Sequence, residues 1–393
     1  MRCLWSLALA ALAMGPVAAV PVEGVTVINN RDYTPAVMTL FASAESSIVM
    51  TAFQARFYED YPGSDSNNLC DALVAAAQRG VSVTFLIDTE DSDWNGNNAQ
   101  NEDFARRLAE GGCAVYYDNA DHVSHTKLIV VDGLASVISS VNWSHYALTS
   151  NNECAVIVWG PAIAAEGLAY VREQAADGRL QTPERPMPDV PVPVDHLSEA
   201  ITGYAEARGF EVLPCEDAEL MVNAAYYPML EPLLDAAVGR IDVVQMDATF
   251  YRMRPAHADP PAEGQTSISQ TNELLTDLAD AAARGVEVHL TLDGGRADEE
   301  TGEVDNRNLD FALRARSQGV HVWWDSPQAT THAKFLVIDD NLSIVGSTNW
   351  TLFGVEGQNN EMSVLMRSPE VASRMRDFVH AIQASGEPFT QQF

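Results

Sequence analysis

The stretch HAKFLVIDDNLSIVGSTN, residues 332–349, is matched by HTKLIVVDGLASVISSVN at residues 125–142. In both, His and Lys stand two residues apart before an apolar run, and Ser and Asn stand two apart after it. An Asp follows each Lys by five residues. Because residues two apart on a β-strand point to the same face, each stretch predicts two strands with their polar side chains on one side.

The two apolar runs of each stretch predict a β-hairpin with a tight two-residue turn. Gly133-Leu134 and Asp340-Asn341 suit such turns, because Gly, Asp and Asn tolerate the backbone conformations that they need. The predicted opposed pairs are His125 with Asn142, Lys127 with Ser140, His332 with Asn349, and Lys334 with Ser347. Each copy would then present an imidazole, an ammonium, a hydroxyl and an amide as one cluster.

Both stretches lie inside a duplication that covers most of the chain. FARRLAEGGCAVYYD from Phe104 matches FALRARSQGVHVWWD from Phe311, and further matches precede and follow these in unbroken order. The second copy has a loop after Tyr251 that is 12 residues longer than its counterpart. A repeat of this length indicates two homologous domains.

Each copy alternates helical and strand patterns. Amphipathic helices that end at Arg79-Gly80 and Arg284-Gly285 precede the β-rich runs VSVTFLI and VEVHLTL. This order predicts an α/β fold of two tandem sandwich domains, each a mixed β-sheet flanked by helices. We place the first domain at residues 25–180 and the second at 197–393, joined by a stiff Pro-rich linker at 181–196.

The first 19 residues have the pattern of a cleaved signal peptide. Arg2 supplies a positive start, LWSLALAALAM supplies an apolar stretch, and small residues precede a cleavage point after Ala19. This pattern predicts a secreted or periplasmic protein. An uncleaved membrane anchor is the alternative, since few polar residues interrupt the segment.

Cleavage would leave four cysteines, namely Cys70, Cys113, Cys154 and Cys215. In an oxidising compartment they allow three fully paired connectivities, which the sequence does not distinguish. The counterparts of the first three in the second copy are apolar, which favours buried thiols acting as small hydrophobic groups. The sequence leaves both interpretations open.

The repeated cluster suits a phosphate group. Lys brings positive charge, and Ser and Asn donate hydrogen bonds to non-bridging oxygens. An imidazole can attack phosphorus or deliver a proton near neutral pH. Asp132 and Asp339 fall on the opposite strand parity, which favours a bracing role, whereas Glu153 and Glu361 are candidates to orient the histidines.

The two motifs resemble those of the phospholipase D superfamily, and the resemblance spans nearly all of residues 25–390. It implies that two domains meet at a pseudo-two-fold interface and form one site. One His forms a phosphohistidine, the other protonates the leaving group, and no metal or other cofactor is required. One position departs from the pattern, since Ser139 stands where Gly346 is found in the second copy.

The resemblance also assigns roles by position. The implied catalytic residues are His125, Lys127, Asp132, His332, Lys334 and Asp339. The implied phosphate-binding residues are Ser140, Asn142, Ser347 and Asn349, with Glu153 and Glu361 as orienting residues.

Residues 91–102, DSDWNGNNAQNE, fit a twelve-residue calcium-binding loop at every ligand position. The candidate Ca²⁺ ligands are Asp91, Asp93, Asn95 and Glu102, with Gly96 at the turn. The preceding element is a strand rather than a helix, and Asn98 stands where such loops have an apolar residue. A polar loop near the site entrance is therefore the alternative.

These observations predict a metal-independent phosphodiesterase that acts on phospholipids, by hydrolysis or head-group transfer. The resemblance to members of the family that have both motifs in one chain implies that His125 is the nucleophile and His332 the acid. A net charge of −32, from 55 acidic and 23 basic residues, disfavours nucleic acid because it repels polyanions. The expected partners are a phospholipid or other phosphodiester and a transient membrane surface, with the chain a monomer that forms an intramolecular pseudo-dimer. A nuclease of the same superfamily and a catalytically inactive binding or scaffold protein are the alternatives.

Overall fold

Two β-sheets, one for each half of the chain, form the frame of the molecule. The computed structural model describes residues 19–90, 93, 96–180, 198–295 and 307–391. In this part of the chain the strands are β1 Val20–Pro21, β2 Gly24–Val27, β3 Ser47–Ala52, β4 Ser82–Ile87, β5 Ala114–Tyr117, β6 Leu128–Val131, β7 Ala135–Ser139, β8 Ala155–Trp159, β9 Arg179–Leu180, β10 Asp217–Val222, β11 Arg240–Gln245, β12 Glu287–Leu292, β13 His321–Trp324, β14 Phe335–Ile338, β15 Leu342–Gly346, β16 Met362–Arg367 and β17 Glu387–Pro388. The helices are α1 Tyr33–Ser43, α2 Asp65–Gln78, α3 Asn98–Glu110, α4 His145–Thr149, α5 Pro161–Asp177, α6 Ser198–Glu206, α7 Tyr226–Ala236, α8 Gln270–Arg284, α9 Leu309–Ser317, α10 Leu352–Val355 and α11 Pro369–Ser385.

Both sheets are mixed and share one topology. The strand order is β2-β8-β7-β6-β3-β4-β5-β9 in the first half and β1-β10-β16-β15-β14-β11-β12-β13-β17 in the second. Three parallel strands, β3 to β5 or β11 to β13, continue into an antiparallel meander that contains the motif hairpin. The predicted α/β class with a duplicated sandwich is confirmed.

Three hydrophobic cores hold these layers together. Helices α1 to α3 cover the outer face of the first-half sheet, and α7 to α9 cover that of the second. Between the sheets, α5 and α11 share a central core with strands of both halves, through side chains such as Leu168 and Phe378. Helices on both faces bury every residue of β3, which accounts for the consecutive apolar residues at its centre, Ile48, Val49 and Met50.

The division between the halves differs from the predicted one. Strand β1 pairs antiparallel with β10, so a segment from the start of the described chain joins the second-half sheet. Helix α6 was predicted to belong to the second domain, yet Ile201, Ala205 and the following Phe210 pack in the first-half core. The second-half sheet continues from Asp217. The predicted linker at 181–196 lies outside the described residues.

The motif hairpins form, but the predicted two-residue turns are wrong. Val131 pairs with Ala135 and Ile338 pairs with Leu342, so that three residues make each turn. As a result Lys127 lies opposite Ser139, and the N–H of that serine donates to the lysine carbonyl oxygen at 3.2 Å. Each strand after the turn is therefore shifted by one residue relative to the prediction.

The shift follows from the aspartate at the start of each turn. Asp132 and Asp339 adopt left-handed backbone conformations, with φ of 52° and 50°. The carboxylate of Asp132 accepts hydrogen bonds from the backbone N–H groups of residues 45–47 at 2.7–2.9 Å. That of Asp339 accepts from residues 238–240 at 2.7–3.3 Å. These bonds fix the loops that lead into β3 and β11.

The four cysteines of the described chain carry free thiols. Cys70, Cys113 and Cys154 are buried, and Cys215 is half-buried. Burial raises the pKa of the Cys70 thiol to about 12 and that of Cys215 to about 11. This arrangement corresponds to the interpretation of the cysteines as small hydrophobic groups.

Candidate active site

The two motif histidines line one cavity of about 820 Å³ between the halves of the chain. Each histidine directly precedes the motif hairpin, and each is tied to the other half by its backbone. The N–H of His125 donates to the carbonyl oxygen of Asn360 at 2.9 Å, and that of His332 donates to Asn152 at 2.9 Å. The duplicated motifs therefore meet at the interface of the two halves.

Each imidazole is held by a glutamate of the opposite half. Nδ1 of His125 lies 3.0 Å from Oε2 of Glu361, and Nδ1 of His332 lies 2.9 Å from Oε2 of Glu153. Both carboxylates are buried. A carboxylate accepts the Nδ1 proton, so Nε2 of each ring keeps its lone pair for the cavity. The sequence had named both glutamates without assigning either to a histidine.

The motif serines contact these glutamates, which differs from the predicted contact with phosphate. Oγ of Ser140 donates to Oε2 of Glu153 at 2.5 Å, and Oγ of Ser347 donates to Oε2 of Glu361 at 2.5 Å. Both serines are fully buried, and a hydroxyl has one proton to donate. Each serine therefore steadies the carboxylate that orients the histidine of the other half.

The motif asparagines do reach the cavity. Asn142 and Asn349 line it beside the histidines. Oδ1 of each side chain is buried and has no hydrogen-bond partner within the described residues. Both asparagines therefore lie at the cavity, and their contact with a phosphate stays a prediction.

Lys127 and Lys334 are the only lysines among the 393 residues, and both are buried behind the histidines. Nζ of Lys127 donates to the carbonyl oxygen of His125 at 2.5 Å, and Nζ of Lys334 to that of His332 at 2.6 Å. Burial lowers the pKa of Lys127 to about 7, against the opposing effect of Glu361, and also lowers the pKa of Lys334. An anion in the cavity would favour the charged form of both amines.

Burial likewise lowers the pKa of His125 to about 4 and lowers the pKa of His332. The facing glutamates oppose this shift, and the nearby lysines add to it. Both shifts favour the neutral form of the imidazoles near pH 7.

The structure separates Asp132 and Asp339 from the catalytic group implied by the resemblance. Their carboxylates bind backbone N–H groups at the far end of each hairpin, and neither lines the cavity. They brace the turns, as strand parity suggested, because Oδ1 and Oδ2 are occupied by the loops before β3 and β11.

A pair of aspartates in each half, all buried except the half-buried Asp293, holds the residue before the histidine. Oδ1 of Asp88 accepts the N–H of Ser124 at 2.7 Å, and Asp118 lies beside it. Asp293 and Asp325 both accept the N–H of Thr331, at 3.2 and 2.8 Å. In each pair burial and the neighbouring carboxyl raise the pKa of the first aspartate. Sequence reasoning missed these residues, although FLID and LTLD, and VYYD and VWWD, repeat in the two copies.

Other residues of the cavity were also missed. They are Phe53, Gln54, Asp247, Tyr251, His257, Arg307 and Phe353. Phe53 and its counterpart Met246 directly follow the first parallel strand of each sheet. The carboxyl end of such a strand is where α/β folds bind ligands, and this rule would have found them.

The calcium interpretation of residues 91–102 is not supported. Asp91 and Asn95 lie outside the described residues. Oδ1 of Asp93 accepts the N–H of Asn98 at 3.0 Å, and Oδ1 of Asn98 accepts the N–H of Glu90 at 3.0 Å. Within the described chain no cluster of three His, Cys, Asp or Glu side chains is placed to hold a metal ion. Asp93 and Asn98 thus serve hydrogen bonds within this loop and with the residue before it.

A family model described as "Cardiolipin synthase, PLD-like domain" matches residues 37–173 and 263–382. The chain belongs to the phospholipase D-like family. Cardiolipin synthase B of Escherichia coli K12 is 28% identical over 378 residues, covering 91% of this chain and 79% of the relative. Mitochondrial cardiolipin hydrolase of Chlamydomonas reinhardtii is 29% identical over 109 residues, or 28% of this chain and 45% of that protein.

Phosphatidylserine synthase of Haemophilus influenzae Rd KW20 has the same fold, with a TM-score of 0.68 at 13% identity. The match covers 95% of this chain and 89% of that structure. As a phospholipase D-like protein with these relatives, the chain is an enzyme of the phosphodiesterase or transferase type.

The predicted secreted or periplasmic location is wrong. The match to cardiolipin synthase B over 91% of this chain contradicts that location. Residues 1–18, which carry most of the predicted signal peptide, lie outside the described residues. In the part of the chain that is described, no helix has the length and apolar character to cross a membrane.

Proposed function

We propose that the protein cleaves phospholipids at the head-group phosphodiester and transfers the phosphatidyl group through a phosphohistidine, without a metal. The observation that carries this proposal is the single cavity lined by His125 and His332, each bonded to a glutamate of the other half. Displacement at a diester needs a nucleophile on one side of phosphorus and an acid on the other. Two imidazoles from opposite halves supply both.

In the proposed first step Nε2 of His125 attacks phosphorus and forms a P–N bond. The bond to the head-group oxygen breaks, and His332 gives its proton to that oxygen. In the second step water or an alcohol attacks phosphorus, and the P–N bond returns its electron pair to His125. His332 then takes the proton of the attacking oxygen, so that the site returns to its starting state.

The electrostatics of the site support this sequence. A pKa of about 4 leaves His125 neutral, with a lone pair available for attack. An anionic diester in the cavity raises the pKa of both imidazoles, which allows His332 to carry the proton that it donates. The buried ammonium groups of Lys127 and Lys334 offset the negative charge that builds up on the phosphoryl oxygens.

The rim of the cavity supports a lipid substrate. Met253 is 77% exposed in the loop that carries Tyr251 and His257, both of which line the cavity. Tyr146, 64% exposed, follows Asn142 by four residues. Exposed apolar groups beside a site suit contact with a membrane surface. The net charge of −32 also favours a lipid, because it repels nucleic acid. The similarity to a cardiolipin synthase and a cardiolipin hydrolase supports the same substrate class.

Substitution of each histidine tests the proposal. We expect His125→Asn to lower head-group release from phosphatidylcholine or phosphatidylglycerol vesicles by about 10⁴-fold, because the nucleophile is lost. His332→Asn should block these lipids equally but spare a bis-p-nitrophenyl diester, whose leaving group needs no proton. Assays run in a chelator should give the same wild-type rates.

Trapping of the covalent intermediate locates the nucleophile. Rapid denaturation at alkaline pH, which preserves phosphohistidine, followed by mass spectrometry should find the phosphoryl group on the His125 peptide. Its presence on His332 would reverse the two roles. Release of DNA fragments with no lipid turnover, or loss of all activity in chelator, would contradict the proposed function.

A further inference from the structure

The two walls of the active-site cavity differ directly after the first parallel strand of each sheet. The carbonyl oxygen of Gln54 accepts the N–H of Trp143 at 2.9 Å. That of Asp247 accepts the N–H of Trp350 at the same distance of 2.9 Å, so the two positions are structurally equivalent. Both side chains line the cavity, and Asp247 is the only carboxylate among the described residues that do so. One half thus has a neutral amide where the other half has a carboxylate.

The Asp247 carboxylate is buried beside an arginine. Asp247 is 9% exposed, and its Oδ1 lies 3.5 Å from Nη1 of Arg307. Arg307 also lines the cavity, at the position that Gln100 takes in the first copy. The guanidinium offsets the repulsion that a lone carboxylate would exert on an anionic diester. A carboxylate can therefore stand in this wall without excluding the substrate.

The residue before each of these positions contacts the buried lysine of its own half. Nζ of Lys127 lies 5.0 Å from the centre of the Phe53 ring, and the His125 ring packs on that ring with centroids 4.9 Å apart. Nζ of Lys334 lies 3.7 Å from Sδ of Met246. A phenyl face stabilises an ammonium group, and a charged Lys127 disfavours protonation of the imidazole next to it. The first-half wall therefore favours a neutral His125.

The second-half wall has the opposite effect, because Asp247 adds negative charge. Burial lowers the pKa of Lys334, and the carboxylates of Glu153 and then Asp247 oppose this shift. Nζ of Lys334 donates to the carbonyl oxygen of His332 at 2.6 Å, and the His332 ring lines the same cavity as Asp247. A carboxylate in this wall favours the positively charged form of the imidazole.

The other charged groups around the two histidines are matched between the halves. Each imidazole faces one glutamate, both lysines, and the aspartate pair of its own half. Within the described chain, the Asp247–Arg307 pair is therefore the charge difference between the two walls of the cavity. The matched groups are Glu153 with Glu361, Lys334 with Lys127, Asp293 with Asp88, and Asp325 with Asp118.

Further titratable groups on the side of His332 do not favour its charged form. Sγ of Cys154 contacts the backbone of Lys334, and Tyr251 and His257 line the cavity. Burial raises the pKa of the Cys154 thiol and of the Tyr251 phenol, so both are neutral near pH 7. A positive charge on His257 would oppose a second positive charge on His332.

We propose that Asp247 fixes the roles of the two histidines by holding His332 in the protonated form that acts as the acid. The inference rests on the proposed function. Asp247 is a positioning residue, since it acts on the substrate through His332. As the bond from phosphorus to the head-group oxygen breaks, His332 gives its Nε2 proton to that oxygen and becomes neutral. His125, beside Phe53 and without a carboxylate in its wall, keeps its lone pair and forms the P–N bond.

The pH dependence of lipid cleavage tests this role. The full chain is assayed on vesicles of phosphatidylglycerol and, separately, of phosphatidylcholine. Because cleavage needs a protonated acid, kcat falls as the pH rises past the pKa of that acid in the complex. We expect Asp247→Asn to move this fall by about one pH unit to lower pH, which lowers kcat at pH 8 by about tenfold on both lipids. For bis-p-nitrophenyl phosphate, whose leaving group needs no proton, kcat/KM should change by less than about twofold.

A matched control and the two lipids separate this role from others. Asp217→Asn removes a carboxylate that is paired with Arg367 at 2.6 Å outside the cavity, and it should leave the pH profile unchanged. Equal losses on lipid and on bis-p-nitrophenyl phosphate would show a general structural effect and overturn the inference. An unshifted profile would also overturn it. A loss confined to phosphatidylcholine would assign Asp247 to a cationic head group instead.

Exchange of the two side chains is a second test. Gln54→Asp combined with Asp247→Gln moves the carboxylate to the first-half wall. We expect the ratio of phosphoryl group on the His332 peptide to that on the His125 peptide to rise by at least about tenfold, because the favoured acid changes. Mass spectrometry of the trapped intermediate measures this ratio. An unchanged ratio in a variant that still cleaves bis-p-nitrophenyl phosphate would contradict the inference.

A titration by nitrogen-15 NMR keeps the test independent of turnover. In the histidine-labelled full chain with inorganic phosphate, Asp247→Asn should lower the pH at which the His332 ring loses its proton by about one pH unit. The His125 ring should change much less. An unchanged titration of His332 would remove the role of Asp247 and leave the proposed function intact. A wild-type protein that cleaves no phosphodiester would remove the proposed function instead.

Discussion

The two halves of the molecule are alike at the centre of the site and different at its rim. At the centre the His–Glu distances are 3.0 and 2.9 Å, and both Ser–Glu distances are 2.5 Å. At the rim, the second half has a longer loop anchored by Arg254 on Glu356 at 2.5 Å, where the first half has an open cavity. In the proposed reaction both imidazoles serve one phosphorus atom, which requires a symmetric centre. A substrate with two unlike ends has no such symmetry, so the rim is free to differ.

Substitution of the two glutamates should have different effects on the two steps of the reaction, although their positions are equivalent. We expect Glu361→Gln and Glu153→Gln each to lower kcat/KM on phospholipid by at least about 100-fold, because the imidazole loses the carboxylate that fixes its tautomer. Since Glu361 holds His125, its variant should also lose the phosphoenzyme. Glu153→Gln should retain turnover of bis-p-nitrophenyl phosphate, as is also expected of His332→Asn. Pre-steady-state burst measurements on both diesters distinguish the two variants.

Pairing of each glutamate with the histidine of its own half would give the opposite result. If each glutamate served the histidine of its own half, Glu153→Gln would abolish the phosphoenzyme and Glu361→Gln would spare the activated diester. Glu356→Gln, at the second-half rim, is a matched control that removes a buried carboxylate from outside the histidine pairs.

The aspartate pairs lead to a prediction of smaller effect, which concerns the pH dependence of the protein's stability. The unfolded carboxyl ionises near pH 4, whereas burial and the neighbours Asp118 and Glu90 raise the pKa of Asp88 in the folded protein. Folding therefore takes up a proton above pH 4, and stability falls as the pH rises toward the folded pKa. Asp88→Asn removes this effect and keeps an oxygen for the N–H of Ser124.

We expect Asp88→Asn to raise Tm by several degrees at pH 8 and by clearly less at pH 5, measured by scanning calorimetry. As a control, Asp60→Asn at an exposed position should change Tm by the same amount at pH 8 and at pH 5. The opposite result would be a Tm of Asp88→Asn below that of wild type, with a larger decrease at pH 8 than at pH 5. It would show that the charged pair stabilises the fold.

The sequence predicted what depends on local pattern. Strand parity and the duplication were sufficient for the α/β class and the paired motifs, whereas a single site with both histidines was implied by the family resemblance. They were insufficient for the hairpin register, because a positive φ at Asp132 adds a residue to the turn. They also misplaced Ser140, since its hydroxyl partner Glu153 is reached through the paired strands β7 and β8 rather than through the substrate.

Long-range features were beyond sequence reasoning. The histidine–glutamate pairs join residues 236 and 179 positions apart, across an interface that no local pattern describes. The open cavity at the first-half rim depends on which loops are short. The location failed for a different reason, because an apolar N-terminal stretch with a positive start is compatible with more than one relation to a membrane.

Each half of the molecule orients the histidine of the other half through a buried glutamate. Nitrogen-15 NMR of histidine-labelled protein measures this directly, since Nδ1 and Nε2 report the tautomer of each ring. His125→Asn and His332→Asn assign the two sets of signals. Our account predicts that Glu361→Gln changes the Nδ1 signal of His125 and leaves His332 unchanged, with the reverse for Glu153→Gln. A Glu361→Gln spectrum in which only His332 moves, or in which neither ring moves, would contradict it.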